Sequence, residues 1–250
     1  MKIVTWNVNG IRSCVKSGFL DWITKCGADF VCLQEIKADE ESIDMFVRHP
    51  DGYNSFFNPA AKKGYAGTGI YFKKEPQNIC INLGYEQFDN DGRVIQFEYP
   101  DFSLINLYMP NGGRDKSAFP FKFKAYEYLF SHLKSLKDKP VILVGDFNVA
   151  HTFLDLARPK ENVGNTMFTP EERKLLDELL KLGFTDSLRI FKNDNGHYSW
   201  WPYAFDARNR NLGWRIDYIF VSNSIANKVK NCTTHPEVLG SDHGPVVLEM

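Results

Sequence analysis

Three short polar cassettes carry side chains able to do chemistry: Trp6-Asn7-Val8-Asn9, Gly145-Asp146-Phe147-Asn148 and Ser241-Asp242-His243. Each follows or borders an apolar run, which places it where a buried strand gives way to a loop. Glu35 follows Phe30-Val31-Cys32-Leu33-Gln34 in the same way, and Asp217 lies inside Trp214-Arg215-Ile216-Asp217-Tyr218. Ligands of open α/β sheets gather at such strand ends. Carboxylates, carboxamides and an imidazole converging on one cleft suit a hard divalent cation that activates water against a phosphate. The pattern is that of a metal-dependent phosphodiesterase.

Each cassette has a plainer reading. Asp146 and Asn148 flank Phe147 after an apolar run, so period-two geometry predicts that both side chains point the same way. Asp146 would then accept a proton from water while Asn148 donates to a phosphate oxygen. Alternatively the pair forms a turn and satisfies its own backbone. Asp217 is a lone carboxylate in an apolar strand, costly unless paired. Its partner is either His243, whose tautomer it would fix, or Arg215 as a structural ion pair. Glu35 offers a hard oxygen ligand, with Asn7 and Asn9 as further ligands or as orienters. Tyr108 stands one step before the Met109-Pro110 strand end, where its hydroxyl reaches the cleft; the alternative is a core aromatic.

These residues need elements to position them. Phe19, Trp22, Ile23 and Cys26 follow helical spacing that Gly27 can end. A short acidic helix is predicted around Ile43, Phe46 and Val47. Strands are predicted at Gly69–Phe72, Arg93–Tyr99 and Ser103–Met109. A long helix carries Tyr126, Leu129, Phe130, Leu133 and Leu136 on one face, and Val141-Ile142-Leu143-Val144 reads as a central strand. Thr169-Pro170-Glu171-Glu172 is a capping box that starts a helix ending at Gly183. Strands at Ile216–Val221 and Val246–Glu249 finish the chain. Two sheets, each covered outside by helices, would bury both apolar strand faces and helical stripes. The expected class is α/β: a four-layered α/β sandwich of two mixed sheets packed face to face, as a single domain over 1–250.

The composition fits a soluble protein, with 250 residues, 43% hydrophobic and 24% charged. No apolar stretch is long enough for a bilayer, so no membrane partner is expected. The N-terminus opens on a strand without signal-peptide features, and a cytoplasmic or other intracellular location is expected, near the nucleoid in a prokaryote. Five cysteines at irregular spacing read as reduced thiols. A net charge of −1 argues against a global electrostatic grip on nucleic acid. The basic clusters Lys62-Lys63, Lys73-Lys74, Arg158-Pro159-Lys160 and Arg208-Asn209-Arg210 matter only where they surround the polar site. The segment Tyr198 to Phe205, continuing to Arg208, Arg210 and Trp214, is aromatic and interleaved with arginines, which suits stacking on sugars and bases. A packed aromatic cluster, especially around Trp201, is the alternative.

Eight segments occur in one order: Trp6 to Arg12, Leu33-Gln34-Glu35-Ile36-Lys37, Tyr108-Met109-Pro110-Asn111, Gly145 to His151, Asp155 to Pro159, Phe168 to Arg173, Trp214 to Tyr218, and Ser241-Asp242-His243. In these the chain resembles, from end to end, the exonuclease III family of apurinic/apyrimidinic endonucleases, within the larger group that includes DNase I and inositol polyphosphate phosphatases. The resemblance implies a DNA-repair phosphodiesterase that cuts 5′ to abasic sites and trims 3′ ends. It implies one or two Mg2+ or Mn2+ ions, bound mainly by Glu35 with Asn7 and Asp242 nearby. The resemblance further implies that Asp146, Asn148 and His243, on the other side of the cleft, are metal ligands as well. By the same resemblance Asp146 activates water, Asn148 stabilises the transition state, His243 oriented by Asp217 polarises the phosphate, and Tyr108 contacts it. Asn9, Lys37, Asn111 and Arg114 would touch DNA, and Trp200 and Trp214 would enclose the flipped sugar. The expected partner is duplex DNA with abasic sites or 3′ ends, bound by a monomer.

Two positions and one short stretch depart from the family pattern. Met167 replaces a usual glycine, adding bulk that would narrow the DNA channel and shift the balance of internal and terminal cleavage. Asn9 stands where some members carry aspartate, and Phe119-Pro120-Phe121-Lys122-Phe123 is atypical. Two competing functions remain: a small-molecule phosphatase on the same scaffold, against which the aromatic loop argues, and a catalytically silent damage-binding protein, which would require loss of a cassette.

Overall fold

A computed structural model of the chain describes residues 1–136 and 139–250. The first half runs β1 (Lys2–Asn7), α1 (Ile11–Lys16), α2 (Phe19–Cys26), β2 (Phe30–Gln34), α3 (Met45–Arg48), β3 (Asn54–Asn58), β4 (Thr68–Phe72), β5 (Asn78–Cys80), α4 (Glu86–Asn90), β6 (Val94–Glu98) and β7 (Ser103–Tyr108). The second runs α5 (Phe119–Ser135), β8 (Val141–Asp146), α6 (Pro159–Asn162), α7 (Pro170–Lys181), β9 (Phe184–Asp186), β10 (Asp217–Ser222), β11 (Asn231–Thr234) and β12 (Val246–Glu249).

The strands form two sheets of six, ordered β11-β12-β1-β2-β4-β3 and β5-β6-β7-β8-β10-β9. Both are mixed: β1–β2 and β7–β8 pair in parallel, and the neighbouring pairs are antiparallel. Alternation along β1 explains the layers. Ile3 joins Phe30, Ile70, Leu104, Ile142 and Ile219 between the sheets. Val4 and Trp6 face outward against Ile11, Phe19 and Ile23 of α1 and α2. On the other sheet Leu107, Leu143 and Phe220 pack against Leu129 of α5 and Leu176 of α7. The result is the expected four-layered sandwich. No described helix is long and apolar enough to cross a membrane.

Four strands in the structure were not predicted: β3, β5, β9 and β11. They are the outermost strands of the two sheets. An edge strand has one open side, tolerates polar residues and need not present a long apolar run. The acidic segment after Ala38 forms a single 3-10 turn at Glu40–Ser42 followed by α3, and Phe46 is exposed rather than packed.

A buried amide network locks the two sheets in register near the strand ends that matter. Gln34 Nε2 donates to Thr5 Oγ1 at 2.9 Å and to Asn106 Oδ1 at 2.6 Å. Asn106 Nδ2 in turn donates to Leu33 O and Gly69 O, each at 3.0 Å. This ties β2 and β4 to β7, so the ends of β1, β2, β7 and β8 open onto one cleft.

Candidate active site

Glu35 follows β2, Asp146 ends β8 and His243 precedes β12. Their ligand atoms lie within 4.8 Å of one another. Between them sits Asn7, fully buried at the end of β1, whose Nδ2 donates to Glu35 Oε1 at 2.8 Å and Asp146 Oδ2 at 2.9 Å. Gly145 makes the approach possible: at its φ of +141° a Cβ would collide with Leu107 O of β7. Parallel pairing then sets Asp146 opposite Tyr108.

Asp146 and Asn148 do stand side by side, though not by strand alternation. The strand ends at Asp146, and Asn148 turns left-handed at φ 52°. The turn brings Asn148 N to Asp146 Oδ1 at 2.9 Å and Asn148 Nδ2 to Asp146 Oδ2 at 3.3 Å. The carboxamide also donates to Met109 O at 2.9 Å, while its oxygen accepts from Asn111 Nδ2 at 3.1 Å. Its donors are thus directed at Asp146 and Met109. Asn9, Glu35, Lys37 and Met167 share the left-handed conformation, at φ 45°, 52°, 49° and 67°. Such strain clusters where a fold over-determines a site.

Asp217 pairs with His243, not with Arg215. Asp217 Oδ2 meets His243 Nδ1 at 2.9 Å, both buried. Arg215 turns away to Asp155 Oδ1 at 2.6 Å and Asp186 Oδ2 at 2.7 Å. Burial alone would push the His243 imidazole down, but the Asp217 carboxylate, with Asp146 and Asp242 beyond it, pushes it up to about 10. With Nδ1 on Asp217, the raised value favours the protonated imidazole, in which Nε2 is a donor. Burial and the nearby Asp217 charge push Asp146 up to about 8, against the pull of His243 and Asn7. Glu35 stays below its ordinary value: burial would raise it, but the Lys37 ammonium and the Asn7 amide outweigh that.

Lys37 Nζ lies 2.7 Å from Glu35 Oε2 and 2.5 Å from Asn9 Oδ1. Asp242 stands outside the cluster of three: Oδ1 accepts from Asn9 at 2.9 Å and Oδ2 from the Trp200 indole at 3.0 Å. Trp200 bridges through its backbone to both Trp214 and His243. Its ring lies 6.4 Å from each of theirs, edge-on to Trp214. Beside Trp214 opens a cavity of about 440 Å³ lined by Arg158, Phe205 and Arg210 among others. Trp201 is buried with Tyr198 and Ala207, as the packed-cluster alternative requires. Arg114 is exposed on the loop beyond Asn111.

Two arginines take places around the cleft that local sequence does not reveal. Arg93 is buried, with its guanidinium 4.6 Å from the centre of the Tyr108 ring. Burial and the Glu35 charge push the Tyr108 hydroxyl well above its ordinary value, against the pull of Arg93. Arg208, read as part of a basic surface cluster, instead binds Ser241 O at 2.6 Å and Val238 O at 2.7 Å. It stacks on Trp201 and braces the turn that carries Asp242 and His243. Lys73-Lys74 follows the far end of β4, where Phe72 pairs with Phe30, away from the cleft.

Residues 4–243 match the model of the endonuclease/exonuclease/phosphatase family. The chain belongs to that family. Within the family it is 40% identical over 251 residues to an exodeoxyribonuclease of Bacillus subtilis, covering 99% of this chain and 98% of that protein. It is 39% identical to a DNA repair nuclease of Danio rerio, covering 99% of this chain and 81% of the relative. Among solved structures, a 3′-5′ exonuclease from Neisseria meningitidis superposes with a TM-score of 0.93 at 30% identity, covering 100% of this chain and 99% of the other. An AP endonuclease from Archaeoglobus fulgidus superposes at 0.91 with 28% identity and the same coverage. For this family member the relatives' names divide between end-trimming and abasic-site enzymes.

Proposed function

We propose that the protein is a DNA-repair phosphodiesterase that hydrolyses duplex DNA 5′ to abasic sites and removes groups from 3′ ends. The observation that carries this reading is the meeting of Glu35, Asp146 and His243 beside the Trp200–Trp214 wall. The donors fit a hard divalent cation. Glu35 and Asp146, bridged by Asn7, are oxygen ligands of the type Mg2+ and Mn2+ take. Glu35 Oε2 already holds a cation, the Lys37 ammonium. Bound there, the metal would supply Lewis-acid stabilisation of phosphate charge.

The chain's own residues do the rest. Asp146, held by Asn7 and Asn148, accepts the proton of the attacking water. The His243 imidazolium, fixed by Asp217, donates from Nε2 to a phosphate oxygen where charge develops. Tyr108, with Arg93 on its ring, lies beside Asp146 to touch the same phosphate. Asp242 orders Asn9 and Trp200 and holds negative charge near the metal. Asn9, Lys37, Asn111 and Arg114 track the DNA backbone, and Trp200 and Trp214 accept the bare sugar. An abasic nucleotide has no base to unstack, so extruding it costs less than flipping a normal one. The protein acts as one domain and as a monomer.

Met167 favours a second emphasis, on 3′ ends. Its side chain is buried at the cleft wall, with Sδ 3.6 Å from Asn111 Nδ2. The deciding experiment offers the protein two duplexes with Mg2+, one carrying an internal abasic analogue and one a blocked 3′ end. Incision of the first supports the abasic-site reading. Trimming of the second alone would leave a 3′ phosphodiesterase.

A further inference from the structure

Helix α5 reaches the site from behind through two side chains one turn apart. The Tyr126 hydroxyl donates to Phe147 O at 2.8 Å, and Lys122 Nζ donates to Asn148 O at 2.7 Å. Both carbonyls lie past the end of β8, where the chain has left the sheet for the left-handed turn at Asn148. Buried backbone groups need partners, and here α5 supplies them.

Lys122 is fully buried, and so is its counter-ion Glu172, 2.5 Å away. Glu172 is the capping-box glutamate of α7, and Oε2 accepts from Thr169 N at 3.1 Å as that motif requires. It also does something the motif does not require: Oε1 accepts from Met167 N at 3.0 Å. A buried ion pair is weak evidence for stability, because desolvating both charges offsets their attraction. Two apolar residues would remove that cost, but would orphan Asn148 O and Met167 N. The geometric consequence is therefore the informative one. One ammonium and one carboxylate tie the turn at 146–148 to the segment at 167–169. Asn111 bridges the same two places from the cleft side, touching Asn148 Oδ1 and Met167 Sδ.

We infer that Lys122, Glu172 and Tyr126 are positioning residues for phosphodiester hydrolysis: they hold the Asn148 turn so that its carboxamide stays on Asp146, and they set the Met167 wall against it. The inference rests on the proposed role of Asp146 and adds residues that never face the substrate.

The test compares Lys122→Met, Lys122→Arg and Tyr126→Phe with the unmodified protein in two assays. The first is steady-state cleavage of whichever duplex the unmodified protein cuts. The second is amide hydrogen exchange over 146–150 and 165–169, which needs no substrate. A misplaced catalytic group costs about a hundredfold. Lys122→Met is therefore expected to lose about that factor in kcat with KM little changed, to exchange faster in both segments, and to add little to Asn148→Ala. Lys122→Arg should restore most of the rate, and Tyr126→Phe should show a smaller loss with faster exchange in 146–150 only. A folded Lys122→Met variant with unchanged kcat, a loss confined to KM, or full additivity with Asn148→Ala would overturn the inference. If Lys122→Met does not fold, unchanged kcat and exchange in Tyr126→Phe would overturn it equally. An unmodified protein that cuts no DNA would defeat the proposed function instead, while the exchange assay would still decide the clamp.

Discussion

The Trp200 indole N–H donates to Asp242 Oδ2 across 3.0 Å, linking the aromatic wall to the carboxylate edge of the site. The proposed substrate pocket and the proposed metal cleft therefore share a hydrogen bond, and the two contributions of Trp200 can be separated. Trp200→Phe keeps an aromatic face but removes the donor to Asp242. A hydrogen bond to a charged group contributes about 1.5–3 kcal/mol. Trp200→Phe is expected to lower kcat about tenfold and weaken Mn2+ binding, while preference for abasic over intact duplex persists. Trp200→Ala should lose both. Selectivity lost in Trp200→Phe with Mn2+ affinity intact would show that the indole acts only as a wall.

The Asp217–His243 pair should behave as a unit. Each alanine substitution is expected to reduce kcat, and the double variant to be little worse than the weaker single. Losses that add fully would mean that the two side chains act separately.

The pH profile follows from the two raised groups. In the proposed mechanism Asp146 must be ionised to accept a proton, so activity is expected to rise as pH climbs through its titration near 8. His243 must be protonated to donate, so activity falls as pH passes about 10. A bound divalent cation favours the Asp146 carboxylate and moves the rising limb down, more as affinity increases. Profiles of kcat/KM with Mg2+ and Mn2+ check this. Retention of the alkaline limb in His243→Gln would assign it elsewhere. Stability is linked to the same group. The His243 value is raised from 6.5, so its stabilising contribution is complete below that pH and disappears as pH rises through about 10. Denaturant midpoints of the unmodified protein and His243→Gln should converge over that interval.

Met167→Gly sets two energies against each other. Left-handed backbone at a non-glycine residue costs about 1–2 kcal/mol, which glycine would relieve. Removing a buried methionine from the cluster it shares with Leu156, Phe168 and Ile216 costs about 2–5 kcal/mol. The cavity term is larger, so the midpoint should fall while internal incision gains on 3′ trimming. An unchanged ratio of the two activities would remove Met167 from the specificity argument.

The interior was more legible in the sequence than the edges and the braces. Runs such as Val141-Ile142-Leu143-Val144 announce central strands because both faces are buried. β5 and β9 are three residues long and lie at sheet edges, where no such run is needed. The strand-end groups Glu35, Asp146 and His243 were readable because polar residues break apolar runs there. Alternation predicts Asn148 beside Asp146, but a left-handed turn at Asn148 beyond the strand end is what brings it there. The contacts of Arg93, Lys122 and Arg208 are not legible in the sequence, because each acts across a tertiary contact on a carbonyl or ring distant in sequence.

The most direct measurement is cleavage of a duplex containing one abasic-site analogue by the purified protein, with Mg2+ and with excess chelator, beside Glu35→Ala. Incision 5′ to the analogue that requires Mg2+, leaves a 3′-hydroxyl, and in Glu35→Ala is weaker and needs more Mg2+ is the expected result. Full activity in chelator would contradict the central claim that Glu35 and Asp146 hold a catalytic metal.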